Sequence, residues 1–229
     1  MATSVSDGEE TLVVQAANLI ATGDFASDAS WTKGSGWTIG SGTGNASTAT
    51  GSLSQAAGSP GLVDEDYYFL TYSVTSYTQG ELTPYVAGTA GTAVSATGRY
   101  QEVIKAGVGS PGALLSFTPT GSPTLTASID DVTLVEIGQS LYTTTTAGTY
   151  VLHLDLTNLT NGDEVMAMVG TKIRSTGSVR WMELGTWAHK QPMSNGKMSI
   201  PVASPHEIVF TLCQLAGSAV SVPWEVISL

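Results

Sequence analysis

Short apolar runs, punctuated by Gly, Pro, Asn and Asp at intervals of about 8–12 residues, constrain this chain more than any other feature. That spacing suits the strands of a sandwich or barrel and is too short for ordinary helices. The clearest run is YYFLTYSVTSY. In an extended backbone Tyr68, Leu70, Tyr72 and Val74 fall on one face, with Phe69, Thr71, Ser73 and Thr75 on the other. GELTPYVAG, GRYQEVIKAG, GALLSFTPT and PTLTASIDDVTLVEI follow, each bounded by Gly or Pro. The last contains a break in parity: Leu125, Ala127 and Ile129 point one way, yet the next apolar residues are Val132 and Leu134. Keeping both sets inside needs one extra residue, so a β-bulge is predicted at Asp130–Asp131. No helix of ordinary length is expected, and the predicted fold class is all-β.

A length of 229 residues exceeds the usual domain of about 100–150, so two β-sandwich domains are expected. Residues 1–11 are polar and acidic and read as a flexible arm. Residues 12–137 form the first predicted domain. Residues 138–229 form a smaller antiparallel sandwich or barrel, with the boundary near Ile137–Gln139, where EIGQS changes the character of the sequence. In the second domain Tyr150, Leu152, Leu154 and Leu156 share an inward face. NGD at Asn161–Asp163 and STGS at Ser175–Ser178 have the composition of hairpin turns. Trp224, Val226, Ile227 and Leu229 end the chain on a strand signal, which must be tied down in its own sheet or against a neighbour.

Charge divides unevenly. Residues 1–137 hold 13 acids and 3 bases, whereas residues 138–229 hold 6 acids and 5 bases, giving −10 and −1 of the total −11. No cluster of Lys and Arg is available to neutralise phosphates, which argues against nucleic acid as a partner. Anionic membranes would repel the acidic half; calcium or a basic surface would suit it. With 41% hydrophobic and only 12% charged residues, disorder is not expected. Cys213 stands alone, so neither a disulfide framework nor a cysteine metal cluster is expected. The opening MATSVSDGEETLVVQAAN has no basic region or long apolar run, so the expected protein has no secretory signal or membrane anchor and is made in a cytoplasm.

Reactive sets are sparse. GSGWTIGSGTG matches neither the phosphate-loop nor the dinucleotide spacing. There is no GxSxG elbow, and His153, His189 and His206 read as surface or strand-end residues, His153 alternating outward beside Asp155. Cys213 in VFTLCQL reads as a small buried hydrophobe. Asp64, Glu65 and Asp66 read as a solvated acidic turn. The chain is not expected to be an enzyme and no cofactor is expected. Trp31, Trp37, Tyr77 and Tyr85 are the candidates for stacking on a sugar ring. Trp37 shares parity with Ile39 and suits a core, whereas Trp31, in a loop with Lys33, is the better exposed candidate.

NLIATGDFASDASWTKGSGWTIGSGTGNAST, YYFLTYSVT and the closing ASIDDVTLVEI together resemble the carbohydrate-binding-module-like jelly rolls common in bacteriophage structural proteins, over residues 14–137. Such modules open on an N-G-D-F-E-type segment followed by W and G-W-x-I, and close on an I-D-D-V-type strand. In related modules that corner holds a structural calcium. The resemblance implies Asp131 as a ligand, but Ala26 stands where the companion acid is usual. Residues 139–229 resemble a small β domain of phage proteins made alongside the major capsid protein, through the T-A-G-x-Y-x-L-x-L-D-L opening, the N-G-D turn and the P-W ending.

The resemblance implies a capsid decoration (cement) protein on the virion surface. Its major partner would be the major capsid protein, it would form a homo-oligomer such as a trimer, and the outward first domain would sample host-surface glycans weakly. Trp181, Trp187, Trp224, Ile227 and Leu229 are the expected capsid or oligomer contacts. The rival reading is a tail or tail-fibre adhesin whose first domain binds carbohydrate.

Overall fold

The computed structural model describes residues 2–12, 18–58, 61–108, 114–188 and 196–229. Their regular structure is entirely β-strand, and the chain divides into two compact units: residues 16–136, and residues 1–15 together with 137–229.

The first strand, β1 (Thr3–Leu12), corrects the reading of the opening residues as a free arm. It pairs antiparallel with the closing strand from Thr3↔Ser228 to Leu12↔Val220, and Leu12 is buried in the core of the C-terminal unit. Polar composition hid this strand because only one of its faces meets a core.

The N-terminal unit comprises β2 (Thr32–Lys33), β3 (Trp37–Gly40), β4 (Thr43–Ala49), β5 (Leu53–Ala56), β6 (Tyr67–Gln79), β7 (Glu81–Val86), β8 (Thr89–Ala90), β9 (Gly98–Lys105), β10 (Leu114–Thr120) and the first half of β11 (Leu125–Thr144). Two sheets form, β2-β5-β10-β7-β8 and β3-β4-β11-β6-β9. The chain passes from one sheet to the other between β2 and β3, β4 and β5, β5 and β6, β6 and β7, β8 and β9, β9 and β10, and β10 and β11, as in a jelly roll. Alternation does the packing. Tyr68, Leu70, Tyr72 and Val74 of β6 share one core with Leu115 and Phe117 of β10 and Leu82 and Val86 of β7. On β11 both Ile129 and Val132 are buried, and Asp131 between them takes φ +53°. The extra residue demanded by the parity break is therefore present.

The C-terminal unit adds β12 (Gly148–Asp155), β13 (Glu164–Lys172), β14 (Arg180–Ala188), β15 (Lys197–Ser204), β16 (Glu207–Ala216) and β17 (Val220–Ser228). Its sheets are β1-β17-β12-β15 and β14-β13-β16 with the second half of β11. Tyr150, Leu152 and Leu154 of β12 and Val222 and Val226 of β17 share a core with Val165, Ala167 and Val169 of β13 and Phe210 and Leu212 of β16. The apolar ending is held on both sides, by β1 and β12. STGS joins the antiparallel pair β13 and β14, a hairpin connection. NGD instead joins β12 to β13, strands of opposite sheets. There the Asp163 carboxylate accepts bonds from the Thr160 N–H and hydroxyl and from the Ser218 N–H, and these hold its pKa below the ordinary carboxylate value.

Candidate functional site

A concavity of the N-terminal unit lies beside β6 and β9, under the loop of residues 91–97. It encloses about 400 Å³ and is lined more by apolar than by polar surface. Register builds it. Tyr72 of β6 and Tyr100 of β9 are direct cross-strand partners, and their rings stack at 5.4 Å. The Tyr100 hydroxyl donates to the Ala96 carbonyl at 2.8 Å and so pins the loop. Glu102, two residues along the same face, accepts the Thr92 N–H at 3.1 and 2.9 Å on its two oxygens. Val94 bridges to Leu82 of β7 and fixes the other side of the loop.

The floor is unusual. Tyr72 is 1% exposed, yet its hydroxyl has no hydrogen-bond partner among the described residues. Burial, then the charge of Glu102, raises its pKa, so the phenol stays neutral. A rigid aromatic wall, a positioned carboxylate and an unsatisfied phenol therefore meet in one place. Sequence reasoning missed this set because it placed Tyr72 on a face without its partner strand.

The sugar-stacking candidates lie elsewhere. Trp31 is a core residue, not an exposed one: it is 5% exposed, stacks on Phe25 at 4.9 Å, and donates its indole N–H to the Thr22 carbonyl. Trp37 is buried as well, its N–H on the Gly51 carbonyl. Neither ring face is free for a ligand. Tyr77 and Tyr85 are half-buried on β6 and β7, and the Tyr77 hydroxyl is spent on the Gly80 carbonyl. The structure does not gather these four around one cavity.

The acidic turn divides too. Asp64 and Glu65 are exposed, but Asp66 is only 5% exposed, a correction to its reading as solvated. It neighbours Glu136, which is 3% exposed and has one carboxylate oxygen without a partner among the described residues. Burial first, and then the charge of Asp66, raises the Glu136 pKa to about 8.

A calcium ion does not fit the corner where the resemblance implies one. Asn18 Oδ1 already accepts the N–H groups of Ile20 and Leu134, and the Val132 N–H donates to the Gly23 carbonyl. A Cβ on Gly23 would sit 1.8 Å from the Val132 carbonyl oxygen, so the opening segment lies directly on the closing strand. Asp24 and Asp131 share a polar hollow there with Arg99, whose charge opposes a metal. Asp131 Oδ2 accepts a long bond from Ser73, and no group of three His, Cys, Asp or Glu suited to a metal occurs among the described residues.

In the C-terminal unit the expected contact residues are partly exposed. Trp181 and Trp187 are half-buried on the edge strand β14, Met182 between them is 50% exposed, and Leu229 is 64% exposed. Trp224 and Ile227 are half-buried on β17. The Trp224 ring fits over Gly8 of β1, where a Cβ would approach it to 3.0 Å. Cys213 is buried.

Ser199, His153 and Glu225 form a row across β15, β12 and β17, with Ser199 Oγ 3.4 Å from His153 Nε2. The row lies on the sheet β1-β17-β12-β15, with Ser199 on its edge strand. His206 is half-buried at the start of β16, and His189 lies outside the described residues.

No known protein family matches the chain, and no curated protein does. Among solved structures it is similar to the N-terminal CBM22-1-CBM22-2 tandem domain of Paenibacillus barcinonensis Xyn10C, at 9% identity over 99% of each chain with a TM-score of 0.34. At that score the likeness carries no functional argument. No helix is long and apolar enough to cross a membrane among the described residues.

Proposed function

We propose that this chain is a non-catalytic shell component, a decoration protein of a bacteriophage head, which stabilises the particle through contacts of its C-terminal sandwich. The observation that carries the reading is β14. Among the described residues it pairs only with β13, and it presents half-buried Trp181 and exposed Met182, while Leu184 and Trp187 pack partly against the core. An edge strand rich in large apolar side chains is suited to strand addition or to a packed interface. Small contacts of this kind, repeated over many copies, give a shell cumulative stability. The sequence resemblance of residues 14–137 and 139–229 supplies the phage setting. Burial of Trp31 and Trp37 weakens the adhesin alternative, because it removes the two best aromatic platforms from solvent.

The test is to strip the protein from purified particles, or delete it, and measure resistance to heat and osmotic shock. Lost resistance, restored by adding the protein back, supports decoration. Unchanged resistance together with lost attachment to bacteria favours the adhesin.

A further inference from the structure

We infer that the pocket beside β6 and β9 takes an organic cation, a lysine-type ammonium presented by a partner segment. Four observations converge on that chemistry. Glu102 forms no ion pair among the described residues, and the Thr92 N–H holds both its oxygens in place, so its charge is fixed and unneutralised. The half-buried Tyr100 ring, backed by the buried Tyr72 it stacks on, supplies π surface, which attracts cations within about 6 Å. The buried Tyr72 hydroxyl has no partner among the described residues, and its oxygen is an acceptor for an N–H donor. The lining is otherwise mainly apolar, which suits the methylene stem of a lysine rather than a hydrated ion.

Electrostatics select the sign. The unit that holds the pocket, residues 16–136, carries 10 acids against 3 bases, so an anion would be repelled on approach and a cation drawn in. The assignment of a partner segment rests on the decoration reading, in which the chain meets other shell proteins. The chemistry of the pocket does not rest on it.

The experiment is a titration of the full chain with n-butylammonium and Nα-acetyl-lysine methylamide, followed by amide NMR shifts of Thr92 to Ala96 and Tyr100. The neutral probes n-butanol and a methyl glycoside run in parallel. Glu102→Gln keeps an acceptor for the Thr92 N–H and removes only the charge, and Tyr72→Phe removes only the hydroxyl. The expected result is saturable shifts with both ammonium probes, weakened about tenfold by Glu102→Gln. Tyr72→Phe should weaken them about threefold, with both variants melting as the parent does. No shift at about 50 mM ammonium, equal binding by Glu102→Gln, or methyl glycoside binding at least as tightly overturns the inference. None of these outcomes alters where the protein sits on a particle, so the decoration reading stands or falls separately.

Discussion

The two sandwiches use the same strand alternation but spend their tryptophans differently. In the N-terminal unit Trp31 and Trp37 are sealed in the core with both indole N–H groups bonded to carbonyls. In the C-terminal unit Trp181, Trp187 and Trp224 sit half-exposed on strands. Their buried carboxylates contrast as well. Glu136 keeps an unpartnered oxygen, whereas Asp163 accepts three bonds that tie the β12–β13 connection to the β16–β17 turn. One unit seals its tryptophans in the core, and the other keeps its tryptophans half-buried, with Trp187 and Trp224 packed against the rim of a core that contains Tyr150 and Phe210. Aromatic content alone therefore does not distinguish a core from an interface.

Trp31→Ala should have the largest effect. It removes the stack on Phe25 and the bond to Thr22 from a packed core, at a cost of about 3–5 kcal/mol in chemical denaturation. A cost near zero would place Trp31 at the surface and erase the contrast.

Glu136→Gln comes next. In the unfolded chain this carboxyl ionises near 4.5, whereas in the fold it keeps its proton up to about 8. Stability should thus fall as pH rises between those values and level off above them. The Gln variant should lose that slope and be on the order of 2–4 kcal/mol more stable than the parent at about pH 9. Identical pH profiles for parent and variant would show that the carboxylate is solvated.

These contrasts were only partly legible in the sequence. The alternation of Tyr68 to Val74 and the parity break at Asp130–Asp131 are local and survive into the structure intact. The strand β1 was not legible, because its partner lies more than 200 positions away and its own residues are mostly polar. Trp31 misled for a related reason. Its neighbours are small and polar, and the Phe25 and Phe117 rings that bury it come from a turn and from β10. The Tyr72, Tyr100 and Glu102 pocket depends on the β6–β9 register, which a single-strand pattern does not fix.

Asp163→Ala should cost about 1–3 kcal/mol by orphaning the Thr160 and Ser218 amides. Because its pKa is lowered by those bonds, its contribution is present above the ordinary carboxylate range and is lost as pH falls through the folded value. This is the opposite of the slope from Glu136, and melting curves across acid and alkaline pH separate the two. A variant as stable as the parent at neutral pH would mean the three bonds are replaceable by water.

The smallest expected effect on stability is that of Trp181→Ala, below about 1 kcal/mol, since the side chain sits on an edge strand. Its effect should instead appear as weaker binding to particles in a sedimentation assay. A large loss of stability with particle binding intact would make Trp181 part of the core.

Cryo-EM of purified virions, with copy number determined by quantitative mass spectrometry, addresses the shell assignment most directly. Regularly arrayed density on the head, at hundreds of copies and contacting the shell through β14, is the expected result. A handful of copies confined to the tail, or no copies in the particle, would contradict it.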